Sequence, residues 1–247
     1  MKRFRDLLGP LDHARYLLWR GTQSRSTLEV QMRKGGRIAF RPPPSGDLGT
    51  AYEIFVGEAY RPPTELPERR AEFIVDAGAN LGYSIVYFAR RHAGAEVLAF
   101  EPHPAHLRLL YQHIHANELT RNVRVEACAV SNGESKSFLS DRGCESTVMA
   151  GRAPGRIPIK VRDFFAEVDD RPIDLLKMDI EGAEYSILGD PRMAMLPVRT
   201  LVLEWHNTAD HPDGRRWCAE RLQALGFRVT PGALDCGRAG ILWGWKA

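Results

Sequence analysis

The residues of this chain with the clearest chemical potential fall into two groups. "VDAGANLGY", residues 75–83, runs an apolar strand into a glycine turn, while "KMDIEGAE" and "EWH" bring four carboxylates and a histidine farther along. Gly78 and Gly82 let the backbone approach a ligand because no side chain stands in the way. The helix that follows aims its free N–H groups at whatever sits there. A dinucleotide turn reads G-x-G-x-x-G, but here Asn80 and Tyr83 occupy the second and third glycine positions, with an extra glycine at 82. Asp76 adds a carboxylate, which would repel a pyrophosphate and suits a cationic ligand. S-adenosylmethionine carries a sulfonium and an α-ammonium. Its carboxylate could take the helix N-terminus while Asp76 faces the ammonium, directly or through water. The competing reading is a glycine-rich strand-to-helix turn without a ligand.

Glu101 ends the second strand, 25 residues after Asp76. An acidic residue there commonly accepts the hydroxyls of a bound ribose. Asp179, Glu181 and Glu184 cluster where a fourth parallel strand should end, suiting a sulfonium, a divalent metal or proton abstraction. Acidity at a helix N-terminus also favours the helix dipole on its own, and Glu184 fits that reading best. An oxygen acceptor needs a base to take its proton. His206, at the end of the fifth strand, is the first candidate because it titrates near neutral pH, with Asp179 second; a histidine capping a strand end is the alternative. Asp179, Glu181 and Glu204 form an oxygen-rich set that could hold Mg²⁺, although the reading assigns no metal ligand. His103, His106, His113 and His115 lie on or near one helix without metal geometry and read as solvated.

The elements that must position these groups alternate in kind. From Phe73 the pattern is strand 73–77, helix 81–92, strand 96–102, helix 104–116 and strand 123–130. After an interruption come 174–182, helix 183–189, strand 200–206, helix 213–225, strand 227–230 and a closing strand. Strands alternating with helices, themselves apolar runs, indicate a mostly parallel sheet covered on both faces. "IPIKVRDFF", opened by Pro158, reads as a short edge strand leading into a helix. Ahead of the core, residues 5–20 suggest a helix with Leu7, Leu8, Leu11, Tyr16, Leu17 and Leu18 roughly on one side. Alternation around Gly35-Gly36 marks a β-hairpin, and a Pro-rich connector with a helical piece near Gly49–Phe55 follows. The division is therefore residues 1–70, an extension, and 71–247, the α/β domain.

Composition sets limits on function. The 247 residues are 44% hydrophobic and 26% charged, with a net charge of +3, as for a globular domain with a sizeable core. No apolar run approaches the length of a membrane span. Scattered cysteines without C-x-x-C spacing read as free thiols in a reducing, cytoplasmic compartment. Residues 1–41 hold ten Lys/Arg against three Asp/Glu. Such an arm could touch nucleic acid, an anionic membrane surface or an acidic partner, or be a solvated face. No RNA-binding signature accompanies it, and nucleic acid is the less favoured partner.

"VDAGANLGYSIVYFA", "AFEPHPAHLRLL", "AVSN", "DLLKMDIEGAEYSIL" and "LVLEWH" follow one another in an order that resembles the FkbM family of S-adenosylmethionine-dependent methyltransferases. The likeness covers about residues 49–206, including "DLGTAYEIFVGEAY". It implies a Rossmann-like, seven-stranded, mostly parallel sheet whose last strand is antiparallel. It implies a cofactor lying across Asp76, Gly78, Asn80, Gly82 and Tyr83, with Glu101 on the ribose. Ala129 and Val130 would then lie near the adenine, and Asp179, with Glu181 beside it, near the methionine end. The resemblance further implies O-methylation of a small-molecule hydroxyl, as on a sugar or polyketide. The long basic stretch "DRGCESTVMAGRAPGRIPI" falls where such enzymes vary with substrate. A methyltransferase docking RNA or protein through residues 1–41 and a non-catalytic cofactor-binding module remain alternatives. An NAD-dependent dehydrogenase is the most distant.

Overall fold

The computed structural model describes residues 4–22, 24–140, 148–149 and 155–246. It begins with α1 (Phe4–Leu7), α2 (Pro10–Gly21), the hairpin β1 (Leu28–Gln31) and β2 (Arg37–Phe40), and α3 (Asp47–Phe55). The α/β core follows as β3 (Phe73–Ala77), α4 (Tyr83–Arg91), β4 (Glu96–Phe100), α5 (Pro104–Ala116) and β5 (Val123–Glu126). Next come β6 (Ala129–Ser131), β7 (Ser135–Ser140), β8 (Val148–Met149), β9 (Arg156–Asp163) and α6 (Phe164–Val168). The chain continues through β10 (Ile173–Met178), α7 (Glu184–Gly189), β11 (Val198–His206), α8 (Gly214–Ala224), β12 (Arg228–Asp235) and β13 (Ala239–Trp245).

Seven strands form the main sheet in the order β12-β13-β11-β10-β3-β4-β5, and β13 runs antiparallel to both its neighbours. Successive strand residues feed opposite faces, as the pleat requires. Ile74, Val97, Leu175 and Val202 pack with α3, α4, α5 and the hairpin, while Val75, Leu98, Leu176 and Leu203 pack with α6, α7 and α8. The extension before residue 71 thus shares its hydrophobic cluster with one face of the sheet. Strand order reverses between β3 and β10, which places a crevice beyond their carboxyl ends, where open α/β sheets bind ligands.

The hairpin is fastened to the glycine turn by two side chains. Tyr83 donates its hydroxyl to Ala39 O at 2.6 Å. His113 Nε2 accepts from Ala39 N at 2.8 Å, while its Nδ1 reaches Leu81 O at 2.7 Å. Burial pushes the His113 pKa down to about 4, so the ring is neutral and its two nitrogens divide donor and acceptor roles.

Four sequence expectations change. The run 123–130 is two strands, because Cys128 N bonds back to Glu126 O at 2.9 Å and turns the chain. β5 stays in the main sheet and β6 joins a second, four-stranded sheet ordered β6-β9-β7-β8. The strand containing Pro158 is not at an edge: β9 lies between β6 and β7, and tolerates proline because β6 pairs only with residues 161–163. His103, His106 and His113 are buried, not solvated; only His115 of the four is exposed. The N-terminal helix is interrupted after Leu7 and buries Tyr16 and Trp19, leaving Leu11, Leu17 and Leu18 outside. The basic stretch 141–155 lies largely outside the described residues.

Candidate functional site

The glycine turn between β3 and α4 is held by backbone geometry that only certain residues allow. Gly78 has φ +87°, and a Cβ there would meet Asp179 O at 1.8 Å. Glycine is therefore required by both conformation and proximity. Asn80 also adopts a positive φ of 49°, which asparagine tolerates better than most residues. Tyr83 is buried under the hairpin, so its side chain belongs to the scaffold and only its backbone faces the turn.

Behind the turn sits an ammonium that the sequence reading missed. Lys177, on β10, lies directly across from Asp76 in the β3 register. Its Nζ stands 3.1 Å from Asp76 Oδ1 and 3.6 Å from Asp179 Oδ2, and donates to Gly78 O at 2.5 Å. Burial disfavours its charged form, but Asp76 and Asp179 outweigh that and raise its pKa. Ser84 donates to the other Asp76 oxygen at 2.6 Å. The Asp76 carboxylate, fully buried, is thus engaged from within the protein, whereas Asp179 is 24% exposed at its side chain and meets the crevice. A lysine inside the apolar run "DLLKMD" is the signal that marks this group.

Glu101, at the end of β4, accepts Asn80 N at 2.8 Å on one oxygen and His103 N at 2.7 Å on the other. His106 Nδ1 also stands 3.4 Å from the oxygen that His103 N reaches, so capacity for a ribose hydroxyl remains on the second lone pair of the other oxygen. Ala129 and Val130 are buried in β6, and Ser131 Oγ lies 3.0 Å from Ser186 Oγ of α7. Ala129 packs with Leu139, Ile159 and Val161 of the second sheet, and Val130 with the core cluster that includes Phe164.

The second group assembles around His206. Its Nδ1 lies 3.0 Å from Glu184 Oε1, and its Nε2 lies 3.9 Å from both Glu181 and Glu204. Glu184 is fully buried and its other oxygen accepts Gly182 N at 2.8 Å; it is a clamp for the imidazole, not a surface helix-dipole residue. Burial disfavours the imidazolium, but the Glu184 hydrogen bond and the charges of Asp179, Glu184 and Glu181 prevail. They push the His206 pKa up to about 10. Burial, then Asp179, drives the Glu204 pKa to about 9. Asp179, Glu181 and His206 each place one atom within 4.8 Å of the others, whereas the expected Mg²⁺ set had Glu204 in place of His206.

Two further groups went unnoticed in the sequence. Glu53 on α3 has its pKa raised by burial and by Asp179. Tyr60, also buried, lies with its ring 5.8 Å from Lys177 Nζ and feels Asp179 and Glu204. The segment "DLGTAYEIFVGEAY" therefore joins the site. A cavity of about 240 Å³, lined by Tyr60, Arg91, Asp174, Arg199 and Trp243, opens at the other end of the strands, near the starts of β10 and β11.

Sheet order, reversal point and glycine turn together define a Rossmann-like methyltransferase fold. Residues 76–229 match the family described as the methyltransferase FkbM domain, and the chain belongs to that family. It is 30% identical over 217 residues to methyltransferase sdnD of Sordaria araneosa, covering 72% of this chain and 81% of the relative. It is 28% identical over 199 residues to 31-O-demethyl-FK506 methyltransferase FkbM of Streptomyces tacrolimicus, covering 63% and 73%. A crystal structure of methyltransferase FkbM from Methylobacillus flagellatus KT superposes with a TM-score of 0.56 at 19% identity. The match covers 76% of this chain and 47% of that one, so the chain spans about half that structure's length.

Two outcomes follow from the charges. Lys177→Met leaves Asp76 buried without its cation and should cost about 3–5 kcal/mol of stability. Chemical denaturation measures this, and adding Asp76→Asn should recover part of the loss. Glu204 and His206 both have folded pKa values above the ordinary 4.5 and 6.5. Their contribution is complete below the unfolded values and is lost as pH rises through about 9 and about 10. Melting temperature should therefore fall toward alkaline pH, and Glu204→Gln should flatten that fall.

Proposed function

We propose that this methyltransferase takes its methyl group from S-adenosylmethionine and delivers it to a hydroxyl of a small molecule. The observation that carries this reading is the acidic edge where Asp179 and Glu181 adjoin the glycine turn, with the protonated Glu204 beside them. Such an edge attracts a sulfonium and repels a pyrophosphate. S-adenosylmethionine, when bound, supplies an electrophilic methyl group on a cationic sulfur. Glu101 receives the ribose hydroxyls, already oriented by the N–H groups of Asn80 and His103. Gly78 to Gly82 let the backbone approach, Ala129 and Val130 supply the apolar wall for the adenine, and Asp179 and Glu181 face the methionine end. The Streptomyces tacrolimicus relative is named for methylation at an oxygen of FK506, which favours an oxygen acceptor here.

As the new carbon–oxygen bond forms, the acceptor must lose its proton. His206 takes that proton at Nε2, while Glu184 fixes the ring through Nδ1. Because Glu184 and its neighbours hold the imidazole protonated to about pH 10, only the minor neutral fraction is competent near neutrality. Asp179 is the alternative acceptor.

S-adenosylmethionine and S-adenosylhomocysteine should raise the melting temperature and NAD should not, since ligands of the native state alone stabilise it. Stabilisation by NAD alone would sink the cofactor reading. With a hydroxyl acceptor in hand, the wild-type kcat should climb with pH toward about 10. His206→Ala should lower kcat roughly 10²–10⁴-fold and flatten that climb, with S-adenosylhomocysteine affinity unchanged. Near-normal turnover in a folded His206→Ala would transfer the role to Asp179, whose Asn variant should weaken cofactor binding as well.

A further inference from the structure

The outward face of α2 is apolar where a solvated helix would be polar. Leu11, Leu17 and Leu18 are 76%, 55% and 68% exposed, and Ala14 beside them is exposed too. At about 100° per residue these four fall on one stripe. Arg15, ion-paired with Asp12 at 2.6 Å, runs along one margin, and His13 and Arg20 along the other. The opposite face is committed to the protein: Tyr16 and Trp19 are buried, and Trp19 Nε1 donates to Ser26 O at 2.7 Å. Arg33 N bonds to Leu7 O and Arg33 Nε to Leu8 O, fixing the helix entry against the hairpin. The stripe cannot turn inward without dismantling this packing. It is carried by the segment with ten basic and three acidic residues.

We propose that α2 docks the protein on an anionic lipid surface, with the leucine stripe among the acyl chains and the flanking cations at the headgroups. A helix lying in the interface has this arrangement: a central apolar face bordered by basic residues. Two other occupants fit less well. A nucleic acid would meet cations at the centre of its footprint, where leucines stand. A second copy would bring the arginine margins together, and one 12-residue helix about 18 Å long falls short of the roughly 800 Å² per partner of a stable dimer.

The test is flotation of the full chain with vesicles of phosphatidylcholine, alone or containing phosphatidylglycerol. The protein should float with the anionic vesicles, less so with phosphatidylcholine alone, and less as salt rises. Leu11→Ser with Leu18→Ser should lower partitioning roughly tenfold or more, with melting temperature and circular dichroism unchanged because both side chains are exposed. Arg15→Gln with Arg20→Gln should remove the preference for phosphatidylglycerol. Failure to float at low salt, or equal flotation of the leucine variant, would overturn the proposal. So would a leucine-dependent dimer by light scattering, which would give the stripe to a second copy.

Discussion

One buried ammonium organises the crevice. Asp76 and Asp179 come from adjacent strands, and their charges would oppose each other in a setting that screens poorly. Lys177 stands between them and also holds Gly78 O. It thereby joins β10 to the turn after β3 at the point where strand order reverses. Removing the cation would disturb the sheet seam, the glycine turn and the cleft carboxylate together. A buried ion pair is seldom a source of net stability compared with an apolar replacement; its value here is that it fixes where two strands end relative to each other.

Around this point, charge is managed by a second arrangement. Glu204 keeps a proton because burial and Asp179 disfavour its ionised form, and His206 keeps one because Glu184 and its neighbours favour the imidazolium. Those two protons allow Asp179, Glu181 and Glu184 to share a small volume. The hairpin contributes indirectly. By accepting Tyr83 and presenting Ala39 N to His113, it steadies the first turn of α4 from behind, on the side away from the crevice.

Much of this was legible in the sequence. Apolar runs ending near Asp76, Glu101, Asp179 and His206 mark the parallel strands, because strands buried on both faces need little polar alternation. The glycine turn declared itself through residues that few other conformations require. What escaped notice depends on partners distant in the chain. Glu184 looked like a helix-terminal acid until His206, 22 residues away, closed on it. His113 looked solvated because its partner Ala39 lies 74 residues earlier. Lys177 sat unremarked within an apolar run beside Asp179, because only strand pairing brings Asp76 across from it. The break after Glu126 rests on a single backbone turn, and nothing in "VRVEACAV" interrupts strand propensity. The helix expectation grouped Tyr16 with the leucines, whereas Tyr16 faces the body and Leu11, Leu17 and Leu18 face away from it.

The placement of β13 bears on the order in which the molecule can be assembled. β11 carries Glu204 and His206 and pairs with β13 along Thr200–His206. During synthesis, β11 therefore leaves the ribosome with one side already able to join β10 and the other bare. That side stays a sticky edge through the making of α8 and β12, until Ala239–Trp245 arrive and slide between β11 and β12. A nascent chain that stalls before this stretch would present its acid-bearing strand to any other extended segment within reach.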